Sequence, residues 1–162
     1  MLLAVIPPAI ALFLPWSVRF HAAWLLVNDA LGHIAGDAAL RAVATALAAS
    51  VRAADTVCRF GGEEFVILMP EQSLEGAARA AERIRRTIED LRLHYQAASG
   101  DRVLTISAGI ALLGRSAAHE ADDVLRAADA ALYRAKRAGR NRVETMPLSA
   151  ARTFTGERRR PA

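Results

Sequence analysis

The residues best suited to chemistry in this chain are two adjacent carboxylates on a glycine turn, in Gly61-Gly62-Glu63-Glu64-Phe65. Five residues separate that stretch from Arg52-Ala-Ala-Asp55. Magnesium binds through one or two carboxylates and completes its shell with water and substrate phosphates, so an acidic pair beside bare backbone suits nucleotide chemistry. Glycine at such a place permits positive φ and lets a ligand approach the main chain. A solvated hairpin tip would carry the same five residues, and motifs this short recur by chance.

The flanking runs must position those carboxylates. Residues 56–60 and 65–69 are apolar enough to form two strands, which puts Gly-Gly-Glu-Glu at the tip of a β-hairpin. After Gly36 the positions Leu40, Val43, Leu47 and Val51 recur at helical spacing, with Asp37 in the first turn, where a carboxylate suits the helix dipole. Ser73 precedes a second stripe, Leu74, Ala77, Ala81, Ile84, Ile88 and Leu91, whose charged flank (Arg79, Glu82, Arg83, Arg86, Glu89) reads as solvated. Residues 94–102 read as a polar connection and 103–113 as a strand with a central position in its sheet. A third helix is expected over 121–138, with Val124, Leu125, Ala128, Leu132 and Ala135 inward and Gly139 as its C-cap, before a short last strand over 141–146. Strands alternating with amphipathic helices predict an α/β (α+β) fold, a two-layer sandwich with a mixed, largely antiparallel sheet flanked by helices.

Four separated segments carry a family resemblance: Asn28-Asp-Ala-Leu-Gly-His-Ile-Ala-Gly-Asp37, residues 52–65, Thr105-Ile-Ser-Ala-Gly-Ile110, and Ala127-Ala-Asp-Ala-Ala-Leu-Tyr-Arg-Ala-Lys-Arg-Ala-Gly-Arg-Asn141. In content, order and spacing they resemble the GGDEF family, the diguanylate cyclase domains of bacterial signalling. The resemblance implies a polymerase-palm-like, nucleotidyl-cyclase-like fold. It also implies condensation of two GTP into cyclic di-GMP and two pyrophosphates, with Mg2+ (or Mn2+) as cofactor and a homodimer as the active form. Carried over by position, Glu63 matches the metal-binding acid and Glu64 its neighbour, considered for activating the hydroxyl. By the same resemblance Gly61 and Gly62 would lie along the phosphates. Asn28 and Asp37 match the pair that reads the guanine edge, though a loop and a helix cap would use the same residues. Lys136 and Arg140 match the phosphate cations, while positive charge is also favoured at any helix C-terminus. Arg52 and Asp55 match the product-inhibition site, where an arginine would bind cyclic di-GMP bidentately; an i, i+3 ion pair is the structural alternative.

The pattern breaks before Val27. The family places a first metal-binding aspartate eight residues before the asparagine and often a lysine five residues further on; here those positions are Phe20 and Leu25, and residues 1–27 contain no acid. Loss of that carboxylate predicts turnover lower by orders of magnitude. It raises an alternative: an impaired domain that acts as a cyclic di-GMP receptor or regulatory module through Arg52 and Asp55.

At 162 residues, 53% of them hydrophobic, the chain has the size and apolar content for one core. The expected organisation is an atypical apolar segment over 1–27, a GGDEF domain over 28–148 and a basic, disordered tail over 149–162. That tail holds four Arg and one Glu, so it supplies +3 of the net +4 and leaves no case for nucleic-acid binding. Residues 1–18 carry no charge and reach the length of a membrane span, yet three prolines interrupt them. A membrane tether on the inner face or a junction sequence both fit that segment, and the domain itself is expected in the cytoplasm. The four histidines are too scattered for a zinc site, and Cys58 reads as a small buried hydrophobe.

Overall fold

Alternating apolar runs and alanine-rich amphipathic stretches give ten elements in the computed structural model. It describes residues 16–22, 24–97, 100–112 and 121–146, with side chains from residue 36 onward except 96, 97, 121 and 122. In chain order they are β1 Trp16–Ala22, α1 Trp24–Ser50, β2 Thr56–Gly61, β3 Glu64–Leu68, α2 Leu74–Asp90, β4 His94–Ala97, β5 Gly100–Val103, β6 Ile106–Leu112, α3 Ala121–Arg137 and β7 Val143–Met146. Five strands form one sheet in the order β2-β3-β1-β6-β7. Only β6 and β7 run parallel; the other pairings are antiparallel. The mixed, largely antiparallel sheet flanked by helices is the one the sequence implied.

The core divides by strand alternation. Phe65 and Ile67 of β3, Met69 directly after it, and Ile106, Ala108 and Ile110 of β6 pack with Leu40, Val43 and Leu47 of α1 and Ala77, Ala81, Ile84 and Ile88 of α2. Ala111 instead meets Val124, Ala127 and Ala128 of α3. Helices therefore cover both faces of the sheet, where a two-layer sandwich would place them on one. This explains why β6 is buried at six consecutive positions, as a strand between two helical layers must be. Ser73 caps α2 by accepting from the Gly76 N–H at 3.0 Å, a contact whose loss costs about 1 kcal/mol. Cys58 is 5% exposed, and burial pushes its thiol up from its ordinary value, as expected of an inert core residue.

Several elements differ from the sequence expectation. Residues 16–22, read as part of the apolar N-terminal segment, form the middle strand of the sheet. Helix α1 starts at Trp24 rather than after Gly36, because Trp-Leu-Leu-Val is helix-compatible and contains no proline. Gly32 and Gly36 each cost about 1 kcal/mol relative to Ala but do not end it. The polar connection over 94–102 contains a second, two-stranded sheet, β4 with β5. Leu91, counted in the α2 stripe, lies at the C-cap and is 39% exposed. No helix among the described residues is long and apolar enough to cross a membrane. Residues 1–15 and 147–162, with the tether and the basic tail, lie outside the described residues.

Candidate active site

The acidic pair stands where the sequence placed it, at the tip of the β2–β3 hairpin. Gly61 pairs with Glu64 across the strands, and the register shifts between Arg59 and Gly61, so Phe60 occupies an irregular, bulge-like position and is 59% exposed. The irregularity supplies the turn, and neither signature glycine uses positive φ; among the described glycines only Gly100 and Gly139 do. Their value is therefore space. A Cβ at Gly62 would meet nothing within 4 Å, and one at Gly61 only Glu64 Oε2 at 3.5 Å. Among the described residues nothing crowds position 62, so a ligand approaching from outside would find bare backbone there.

Arg59 was not singled out in the sequence, and it holds the turn. Its Nε and Nη2 donate to the Gly62 carbonyl oxygen at 3.1 and 2.7 Å. Arg59 also lines a cleft of about 190 Å3 with Asp37, Leu40, Arg41, Ala44 and Phe65. Asp37, Arg41 and Ala44 follow one face of α1, at i, i+4 and i+7, so that helix offers one carboxylate and one guanidinium to the same cleft. Beside the hairpin runs β1, with Phe20 opposite Phe65 and His21 opposite Glu64. The missing aspartate would thus have stood across from the signature, and a phenylalanine occupies its place.

The structure does not unite every expected pair. Asn28 and Asp37 sit nine residues apart on the continuous helix α1, roughly 13 Å along its axis. Lys136 is in the last turn of α3, but Arg140 lies beyond the helix end with φ 62, so the two do not share a helix face. The helix stops because Gly139 takes φ 111, and the Arg140 N–H reaches back to the Ala135 carbonyl at 3.0 Å.

Arg52 and Asp55 are joined by backbone rather than by an ion pair. The Arg52 N–H donates to Asp55 Oδ2 at 2.9 Å, and the Asp55 N–H donates to the Arg52 carbonyl at 3.0 Å. The Arg52 guanidinium instead faces the buried Gln72 amide, whose oxygen accepts from it once the amide is oriented to satisfy both of its ends. The other carboxylate oxygen, Asp55 Oδ1, is buried without a hydrogen-bond partner. Arg83, grouped in the sequence with a solvated flank, donates to the Ser50 carbonyl at 3.1 Å and so stands at the end of α1, beside the Arg52 turn.

Of the rest of that flank, Arg79 and Arg86 are solvated as expected, while Glu82 and Glu89 are partly buried against a neighbouring arginine. The Arg85 side chain is 12% exposed and forks onto Glu82 with bonds of 2.9 and 2.8 Å. A further bond of 2.8 Å reaches Glu89. These hydrogen bonds hold both carboxyls below the usual carboxylate range and raise the guanidinium, so the cluster stays ionised at neutral pH.

Comparison with known proteins agrees with this geometry. The family model described as diguanylate cyclase, GGDEF domain, matches residues 22–142. Diguanylate cyclase DgcP of Pseudomonas aeruginosa is 46% identical over 119 residues, which is 73% of this chain and 17% of that protein. The response regulator PleD of Caulobacter vibrioides is 45% identical over 120 residues, 72% of this chain and 26% of that protein. The chain thus spans about a quarter or less of the length of these relatives. Among solved structures, the active GGEEF domain of a diguanylate cyclase from Vibrio cholerae superposes with a TM-score of 0.71 at 30% identity, covering 82% of this chain and 83% of that one. The GGDEF domain of DgcB from Caulobacter crescentus, in complex with c-di-GMP, gives 0.71 at 31% identity over 80% and 74%. With the family model matched over residues 22–142, three quarters of its length, the chain belongs to the GGDEF domain family of diguanylate cyclases.

Proposed function

We propose that this chain is a diguanylate cyclase domain, condensing two GTP into cyclic di-GMP between two copies held face to face. The observation that carries the reading is the hairpin tip: open space where a Gly62 Cβ would stand, beside a cleft shared by Asp37 and Arg59. Each 3′-hydroxyl attacks the α-phosphate of the other nucleotide, the bond to the β-phosphate breaks, and pyrophosphate leaves. One domain holds one GTP, so two copies are needed for ring closure. Asp37 accepts from the donors on the guanine edge. Asn28 joins it only if α1 opens near Gly32 and Gly36. Glu64 takes the hydroxyl proton, and Lys136 and Arg140 neutralise phosphate charge.

The donor set fits one magnesium ion. Glu63 provides a carboxylate next to open backbone where substrate phosphates can complete the shell. Among the described residues no group of three or more His, Cys, Asp or Glu forms a closed metal site. Magnesium, when bound, offsets the charge on the triphosphate and the departing pyrophosphate. A second ion lacks its anchor, because Phe20 stands across from Phe65. Turnover is therefore expected to be slow.

Asp55 favours a second reading, a cyclic di-GMP receptor. A buried carboxylate oxygen with no partner beside a held arginine suits a ligand that brings N–H donors, as a guanine edge does. The deciding measurement is chromatographic detection of cyclic di-GMP from GTP and Mg2+ by the purified chain. Slow product formation that disappears with Glu63→Ala is the expected result. No product, with cyclic di-GMP still bound in a way that Arg52→Ala abolishes, would replace the cyclase reading with the receptor one.

A further inference from the structure

Directly after Arg140, the main chain is held by a polar cluster that the proposed chemistry does not use. Gly139, Arg140 and Asn141 are three consecutive residues with positive φ, at 111°, 62° and 46°. Two of the three are not glycine, a conformation that persists only where its surroundings over-determine it. What determines it here is Asn141. Its backbone N–H donates to Ser107 Oγ at 3.1 Å, on a serine 4% exposed in β6. Its side-chain Oδ1 accepts from Arg85 Nη1 at 2.7 Å, and its Nδ2 donates to Glu89 Oε1 at 2.8 Å. Arg85 is fixed in turn by its fork onto Glu82 and its bond to Glu89. Helix α2, strand β6 and the loop after α3 are thus tied at one residue, the neighbour of Arg140.

We propose that Asn141 and Arg85 are positioning residues of the nucleotide site, holding the left-handed loop so that Arg140 is presented to the nucleotide phosphates. The inference rests on the reading of Arg140 as a phosphate cation. An arginine on an exposed loop of several accessible conformations would spend most of its time elsewhere, and its contribution to binding would fall with the fraction correctly placed. The Arg85 fork is geometric as well as electrostatic, so lysine, a point charge on a flexible stem, does not replace it.

The test is calorimetric binding of GTP with Mg2+ to the full chain and four variants, with thermal denaturation of each. Arg140→Ala probes the site itself and is expected to weaken GTP binding. Asn141→Gly removes the amide while leaving a residue that adopts positive φ freely, and Arg85→Lys keeps the charge without the fork. Both are expected to weaken GTP binding roughly 3- to 30-fold. In the double variant Asn141→Gly/Arg140→Ala the glycine should add nothing further. If Asn141→Gly and Arg85→Lys melt lower but bind GTP like the unmodified chain, while Arg140→Ala binds weakly, the cluster is structural and the inference falls alone. If Arg140→Ala binds GTP normally, the reading of the phosphate site falls and takes the inference with it. Should Arg85→Lys fail to fold, the Asn141→Gly pair decides the matter, because glycine keeps the positive φ of the loop while removing the amide.

Discussion

At the scale of single residues, position 20 carries the most consequence. In β1 it is paired with Phe65 on one side and Ala108 on the other, which puts it in the middle of the sheet next to the signature hairpin. A carboxylate there would supply a second anchor for metal at the phosphates. Phe20→Asp is therefore expected to raise the rate of cyclic di-GMP formation by about 100-fold, the scale of a well-placed electrostatic group, while lowering the melting temperature because an acid replaces an aromatic in a middle strand. A parallel assay of rate and melting checks both. An unchanged rate in a folded variant would mean that β1 plays no part in metal binding. Gly62 makes the complementary case. Its φ is not positive and its missing Cβ has open space around it, so Gly62→Ala should melt within about 0.5 kcal/mol of the parent. The same variant should raise KM for GTP several-fold, since the methyl group intrudes only on an approaching ligand. A drop in stability without a change in KM would return this glycine to a purely structural role.

At the scale of elements, the close approach of α3 to β6 occurs at Gly109. A Cβ there would collide with the Ala128 carbonyl oxygen and the Leu132 nitrogen, both backbone atoms that cannot swing aside. Gly109→Ala must push the whole helix off the sheet, and we expect a loss of about 3 kcal/mol or failure to fold, measurable by urea denaturation. The elements also show what was legible in the sequence. The hairpin, α2 and α3 were, because period and punctuation agreed: a stripe ending at Gly139, a Ser73 cap, two apolar runs around two glycines. The strand β1 was not, since Trp-Ser-Val-Arg-Phe-His-Ala continues an uncharged proline-containing run and its pairing partners lie more than 40 residues away. The start of α1 was missed because Gly32 and Gly36 look like stops, and only packing shows that a buried Gly36 is accommodated within the helix. Arg85, Asn141 and Arg59 were missed for a common reason. Each earns its role from a partner in three dimensions, Glu89, Ser107 or the Gly62 carbonyl, and a lone charge or amide in a helical flank or strand end gives no local signal of that.

At the scale of the whole molecule, the proposed reaction calls for a second copy. The signature lies at the tip of β2 and β3, and β2 is an edge strand, so the hairpin projects from the sheet's border rather than from its middle. Phe60, 59% exposed, stands immediately before the two glycines, a large apolar side chain at the hairpin tip. A reaction that joins two nucleotides, each held by one such border, must bring the two borders together. In dilute solution, where copies are mostly single, the rate should therefore depend on the square of protein concentration, so doubling the chain raises total product formation about fourfold. At higher concentration, as dimers saturate, the dependence should fall to first order, and sedimentation velocity with GTP present should show the dimer appearing over the same range. First-order dependence throughout, with a single-copy sedimentation coefficient, would mean that one domain handles both nucleotides, and the face-to-face arrangement would have to be abandoned.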